Sequence, residues 1–184
     1  MNKESIYKIA REQLDNYIEE QGMRKTPERY AILNAVLNMD GHHGADEIMA
    51  MLTDGFRISR ATIFSTLNLF DEIGIVFSHQ IHGKTIYESA CGRKPHHHYI
   101  CKGCYRIWDF TNDELTEAVA VSRTPRFKKI RCAVYIYGLC DTCQARLYRL
   151  KKKTDKQKDE GMTREEQRFA RIDDELAKAS EWFK

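Results

Sequence analysis

Two C-x-x-C pairs, Cys101-Lys102-Gly103-Cys104 and Cys140-Asp141-Thr142-Cys143, constrain this chain more than any other feature. Each pair can place two thiolates on one ion from a tight turn. Two such turns complete the tetrahedral S4 shell that suits zinc. The pairs stand 36 residues apart, wider than in a common zinc ribbon, so a structural zinc on Cys101, Cys104, Cys140 and Cys143 would tie together distant ends of one domain. The alternative is a thiol-redox protein, but the βαβ context of a thioredoxin-like motif is missing around the first pair. The opening Met1-Asn2-Lys3-Glu4-Ser5 has no apolar h-region, and no apolar run approaches 18 residues. A cytoplasmic, reducing address is therefore expected, with the cysteines free for metal or redox work rather than disulfides.

The 184 residues allow one large domain or two small ones. The net charge of +3 is unevenly spread. Residues 1–89 carry 9 Lys+Arg against 13 Asp+Glu, residues 90–145 carry 9 against 5, and residues 146–184 carry 12 against 9. If the first part binds DNA, its positive charge must gather on one face.

Hydrophobic spacing places an amphipathic helix on Ile6, Ala10, Leu14 and Ile18, stopped by Gly22. Thr26-Pro27-Glu28 reads as a second start, with Thr26 as N-cap and Pro27 at the first helical position. Residues 40–44 read as a loop, and a short helix follows from Asp46. Ser59 can cap a helix over 60–72 that ends at Gly74. Residues 75–81 and 85–89 then form a hairpin turning at His82-Gly83-Lys84. Three helices and a hairpin are the winged-helix order, with 60–72 in the recognition position.

The expected organisation is α+β: a winged-helix DNA-binding domain over 1–89, a hinge over 90–95, an α/β domain with the zinc site over 96–148, and a charged tail over 149–184. In the second domain, strands are expected over 96–101, 106–110 and 128–137, a helix over 113–122, and another opening at Cys140. Alternation of Ile130, Cys132, Val134 and Ile136 predicts a half-buried strand with Cys132 as a buried thiol. In the tail, 151–160 has no apolar residue and reads as solvated. Thr163 to Glu166 forms a capping-box signature before a stripe of Phe169, Ile172, Leu176 and Phe183, expected to pack on the chain's own body or a second copy.

His96-His97-His98 precedes the first cysteine pair. On a strand, His96 and His98 share one face and His97 takes the other, so two imidazoles converge as half a metal site. His42 and Glu88 offer further nitrogen and oxygen ligands.

Over roughly residues 10–147 the sequence resembles the ferric-uptake regulator family. The resemblance is carried by Arg24-Lys25-Thr26-Pro27-Glu28-Arg29, His42-His43-Gly44-Ala45-Asp46-Glu47-Ile48, Ser59-Arg60-Ala61-Thr62-Ile63-Phe64, Gly83-Lys84-Thr85-Ile86-Tyr87-Glu88, the run from His96 to Cys104, and Tyr135-Ile136-Tyr137-Gly138-Leu139-Cys140. It implies a homodimeric, metal-dependent transcriptional repressor on a palindromic DNA operator, with the second domain dimerising and no catalysis. By position, His42, Glu88, His96 and His98 match the family's regulatory metal ligands. Asp109 matches a carboxylate used in its peroxide-sensing members.

Iron or manganese is the first choice for the regulatory metal. Cys91 stands where the zinc-sensing branch carries a ligand cysteine, and His79 could complete such a shell, so a zinc-uptake regulator is an alternative, as is a peroxide- or haem-responsive one. A second sensory site is degraded: His97 is present, but Pro95, Thr116 and Cys132 occupy its other positions. Arg24, Lys25, Arg29, Arg57 and Arg60 are the expected phosphate contacts, Arg24 matching a family residue that reaches toward the minor groove. Ser59, Thr62, Phe64, Ser65 and Thr66 are the candidate base contacts. Phe64 stands where the family usually has Tyr, which keeps contact with a thymine methyl but loses a hydroxyl.

Overall fold

The structure, a computed structural model, describes residues 2–52, 58–123, 125–128, 131–154 and 162–182. They form two compact units, Met1–Lys94 and Pro95–Lys184. No helix among the described residues is long and apolar enough to cross a membrane.

The first unit begins with α1 (Lys3–Glu20), capped by the Asn2 side chain, which accepts from the Ser5 amide at 2.8 Å. Its 3.6-residue period puts Ala10, Leu14 and Ile18 on one buried face. In α2 (Pro27–Asn38), Pro27 holds the first helical position, but the Thr26 side chain makes no capping bond; its carbonyl accepts from Arg29 N at 3.1 Å instead. A short α3 (Ala45–Ala50) is closed at its start by the Glu47 carboxylate, which accepts from Gly44 N at 2.8 Å. α4 (Arg60–Glu72) starts where Ser59 Oγ accepts from Thr62 N at 3.1 Å. Ile63, Leu67 and Phe70 of α4 join Leu14, Ile18, Ile32, Leu33, Val36 and Ile48 in one core.

The wing is the hairpin of β2 (Val76–Ile81) and β3 (Lys84–Ser89). Its two-residue turn puts both His82 (φ 52°) and Gly83 (φ 73°) in the left-handed region, as the twist of a tight hairpin requires. β3 also pairs with a two-residue β1 (His43–Gly44). The expected loop over 40–44 therefore ends in a strand, with the residue after His42 hydrogen-bonded to the wing.

The second unit holds a sheet in the order β5-β4-β6: β4 (His97–Cys101) pairs antiparallel with β5 (Ile107–Phe110) and parallel with β6 (Tyr135–Gly138). α5 (Asp113–Val121) is capped by Asn112, and α6 (Asp141–Thr154) follows Cys140 and carries Cys143. Among the described residues of the strand expected over 128–137, the regular strand begins at Tyr135. Cys132 is exposed, not the buried thiol its alternation suggested, because the sheet pairing that would turn it inward starts later. The stretch expected to be solvated from residue 151 remains helical to Thr154. α7 (Arg164–Trp182) opens with the anticipated capping box: Glu166 accepts from Thr163 N at 2.7 Å, and Thr163 Oγ1 accepts from Glu166 N at 3.2 Å. Phe183 lies outside the described residues.

Candidate metal centres and nucleic-acid interface

The four paired cysteines converge, their sulfurs within 4.8 Å of one another. Cys101 ends β4, Cys104 closes the following turn, and Cys140 and Cys143 flank the start of α6. Gly103 allows this approach: a Cβ there would lie 2.7 Å from Cys143 Sγ. The Cys104 and Cys140 sulfurs are 3.9 Å apart, close to the edge of about 3.8 Å that a tetrahedron with 2.3 Å zinc–sulfur bonds requires. Cys140 N donates to Cys101 Sγ at 3.4 Å and Arg106 Nε to Cys104 Sγ at 3.5 Å, so N–H donors already point at two of the four sulfurs. Burial alone would raise the Cys104 thiol, but bonds from the Arg106 side chain and backbone and from Cys101 and Cys140 outweigh it and bring it to about 6. Burial and bonding to the other three cysteines push Cys143 up to about 12. Four converging thiols with one held as a thiolate suit a divalent, thiophilic cation. The set fits a structural zinc better than two separate redox pairs.

A second cluster belongs to the first unit. Glu88, only 2% exposed, stands on β3 between two imidazoles. His79 Nε2 on the paired strand β2 lies 3.0 Å from its Oε1, and His42 Nε2, just before β1, lies 3.4 Å from its Oε2. Arg93 Nη1 adds a charge 3.7 Å away. A carboxylate taken this far from water needs positive partners or a metal. The hairpin register explains the convergence, since His79 pairs with Ile86 and Phe77 with Glu88, which puts His79 and Glu88 within diagonal reach.

The second unit offers a separate set. On β4, His98 Nδ1 lies 3.2 Å from Asp109 Oδ1 on β5, its register partner, and His96 Nε2 lies 3.9 Å from Asp109 Oδ2. The His96 and His98 rings stand edge to face at 4.9 Å. His97 points the other way, as alternation demands: its ring packs on Phe110 and its Nε2 lies 3.2 Å from Thr116 Oγ1. Cys91 packs against the first unit's core, its thiol 3.8 Å from the Ile75 carbonyl. Neither Cys91, His97 nor Cys132 falls in a cluster of three or more ligating groups among the described residues. The arginines beside these sites, Arg93 and Arg106, were missed in the sequence. Their only signal was proximity to an acid or a cysteine, which most surface arginines share.

On α4, Phe64 is 42% exposed and Ser65 is exposed, with Ser65 Oγ donating to the Thr62 carbonyl at 3.1 Å. Ser59 and Thr62 hydroxyls bond each other at 2.8 Å. Thr66 is buried, on the same face as Ile63 and Phe70, and is removed from the candidate base contacts. Arg60 is held by Asp46 at 2.5 Å and Lys25 by Glu19 at 2.6 Å, while Arg29 donates to the Arg24 carbonyl. Arg57 lies outside the described residues.

The ferric uptake regulator family model matches residues 20–137. A peroxide-responsive repressor, PerR, from Staphylococcus aureus is 34% identical over 129 residues, covering 69% of this chain and 86% of that protein. The solved Helicobacter pylori ferric uptake regulator, described as having three functional metal binding sites, covers 78% of this chain and 95% of its own with a TM-score of 0.62; at 21% identity it speaks for the fold alone. The Francisella tularensis ferric uptake regulator, solved with iron, has a TM-score of 0.55 and 25% identity over 67% of this chain and 96% of its own.

Proposed function

This chain belongs to the ferric uptake regulator family of metal-responsive DNA-binding repressors, and on that premise we propose that it is a homodimeric repressor whose operator binding is set by a divalent metal held by His42, Glu88, His96 and His98. The observation that carries the reading is the buried Glu88 carboxylate flanked by His42 and His79. His96, His98 and Asp109 supply a matching half-shell in the second unit. Neither half completes a coordination sphere alone. The bound ion supplies a charge that groups from both units can satisfy together. His42 and Glu88 from one unit, with His96 and His98 from the other, then favour one arrangement of the units, by no more than the differential affinity of that arrangement. An arrangement that sets two α4 helices about 34 Å apart grips a palindromic operator. The reading places the protein in the cytoplasm and asks no catalysis of it.

Iron or manganese is favoured by the nitrogen and oxygen ligands, and His79 is a further nitrogen donor at the same carboxylate. The zinc alternative needs Cys91, whose thiol faces the Ile75 carbonyl in this structure. A peroxide-responsive reading is supported by Asp109 beside His98 and by the Staphylococcus relative.

The deciding experiment compares wild type with the His96→Ala/His98→Ala variant, both with the four-cysteine zinc intact, by anisotropy on promoter DNA titrated with Fe2+, Mn2+ and Zn2+. Wild type should gain about 5–150-fold in affinity with one metal, and the variant should not respond. Equal binding by both without added metal refutes the switch. Loss of binding on peroxide treatment of the Fe2+ form but not the Mn2+ form would select the peroxide reading.

A further inference from the structure

The family model ends at residue 137, and the structure places a well-formed helix beyond it, α7, against the four-cysteine site. Phe169, buried on α7, clusters with Cys101, Cys143 and Leu147. One residue before it, Arg168 donates to the carbonyls of both Lys102 and Gly103, the two residues between the first pair of cysteines; the Lys102 bond is 2.8 Å. Its guanidinium also stacks over the Tyr105 ring at 4.2 Å. Tyr105 takes a positive φ of 62° to close that turn, a strained conformation for a residue with a side chain. Further along α7, Glu175 pairs with the Lys102 ammonium. On its other edge, Glu165 pairs with Arg146, and Asp173 with Lys151 at 2.7 Å. Arg146 and Lys151 lie on α6, the helix that carries Cys143. α7 therefore touches both halves of the zinc shell: the turn of Cys101 and Cys104, and the helix of the second pair.

We propose that α7 is an intramolecular clamp on the structural zinc site, with Arg168 as the positioning residue that holds the first knuckle and Phe169 as the plug that seals the Cys101 and Cys143 sulfurs from solvent. The proposal rests on the structural-zinc reading of the four cysteines. The chemistry favours Arg168 over a generic surface contact. A planar guanidinium can serve two neighbouring carbonyls at once and stack on a ring, which a lysine ammonium cannot. Groups that orient a ligand-bearing turn govern metal affinity, and their loss typically costs 10–100-fold. With both halves fixed by α7, the four sulfurs that would hold the ion stay together. With α7 detached, the first knuckle loses its brace and the Cys101 and Cys143 sulfurs lose their cover, so chelators or alkylating reagents reach them.

The test measures zinc transfer from the full-length protein to a colorimetric chelator, together with alkylation of Cys101 and Cys143 by iodoacetamide read by mass spectrometry. Zinc content is determined first. Arg168→Ala and Phe169→Ala should each speed zinc transfer about 10-fold or more and expose both cysteines. Arg168→Lys should fall between Arg168→Ala and wild type, while Lys178→Ala, on the exposed side of α7, should match wild type. Because Phe169→Ala also opens the core, Arg168→Ala carries the decision, at unchanged helix content by circular dichroism. Zinc loss at the wild-type rate in Arg168→Ala overturns the clamp alone. Absence of zinc from purified wild type overturns the zinc site and the clamp with it.

Discussion

Cys91 and Cys132 are chemically identical in the sequence and opposite in the structure. Burial pushes the Cys91 thiol above its ordinary 9.0, whereas Cys132 is exposed. At pH 8, limited alkylation of the zinc-loaded protein should therefore label Cys132 well before Cys91; equal labelling would contradict the burial. The shift also sets a sign for stability. A folded-state pKa above the unfolded one favours the protonated, folded form, so this contribution is fully present below about pH 9 and is lost as pH climbs through the folded value. The difference in denaturant stability between wild type and Cys91→Ala should be flat from pH 7 to 8 and shrink at higher pH. Arg60 gives a second prediction at this scale. Its pair with Asp46 is exposed on both sides, 66% and 63%, and such pairs are worth at most about 1 kcal/mol, so a phosphate can displace Asp46 cheaply. Asp46→Asn should tighten DNA binding across all sequences, and Arg60→Ala should weaken it while reducing the salt slope by about 1. A slope unchanged in Arg60→Ala removes Arg60 from the phosphate contacts. Residue types alone made Arg60 and Thr66 look equally available to DNA. Helical phase decides otherwise, because Thr66 is one turn from both Ile63 and Phe70 and goes inward with them. His96 and His98 were legible as a pair because strand alternation is a strict rule. Glu88 was legible as an oxygen ligand at the end of the wing, but its approach to His79 follows only from the exact hairpin register, which puts His79 opposite Ile86.

α4 shows how a recognition element is held. Its start depends on the Ser59 hydroxyl, and its inner face on Ile63, Leu67 and Phe70. Ser59→Ala should cost about 1 kcal/mol of stability and Ser59→Gly only a few tenths. Phe70→Ala should cost about 3–5 kcal/mol, since the ring is fully buried in the first unit's core. Urea midpoints at constant m-value would read both, and a Phe70→Ala effect below 1 kcal/mol would mean the core has been misassigned. Helices with caps and stops were readable almost to the residue, as in α4, where Ser59 and Gly74 bracket the periodic run. The failures fall where pairing decides. β1 is two residues long and exists only because β3 lies beside it, so no local signal announces it. The run from 128 alternates like a strand but pairs with β4 only from Tyr135, and alternation without a partner does not bury Cys132. α7 was visible through its capping box, yet nothing in its stripe said that it would face zinc ligands.

At the scale of the molecule, the proposed switch has a thermodynamic signature independent of DNA. The chain has two compact units with separate cores. An ion liganded by His42 and Glu88 from one unit and by His96 and His98 from the other binds only while both are folded. It therefore stabilises both, by about 2.7 kcal/mol at 100 times its Kd. For units of this size, about 4–8 °C per kcal/mol makes the expected rise on the order of 10–20 °C. Calorimetry of the zinc-loaded protein should then show the lower transition rising toward the higher one and merging with it as Mn2+ is added. In His96→Ala/His98→Ala neither should move. A rise that persists in His96→Ala/His98→Ala would mean that His42, His79 and Glu88 hold the ion by themselves, and repression would then need a different coupling from the one proposed. Chelating only the weakly held metal should reverse the shift without loss of fold. Stripping the four-cysteine zinc should instead destabilise the second unit, because there the ion would tie the turn after β4 to the start of α6.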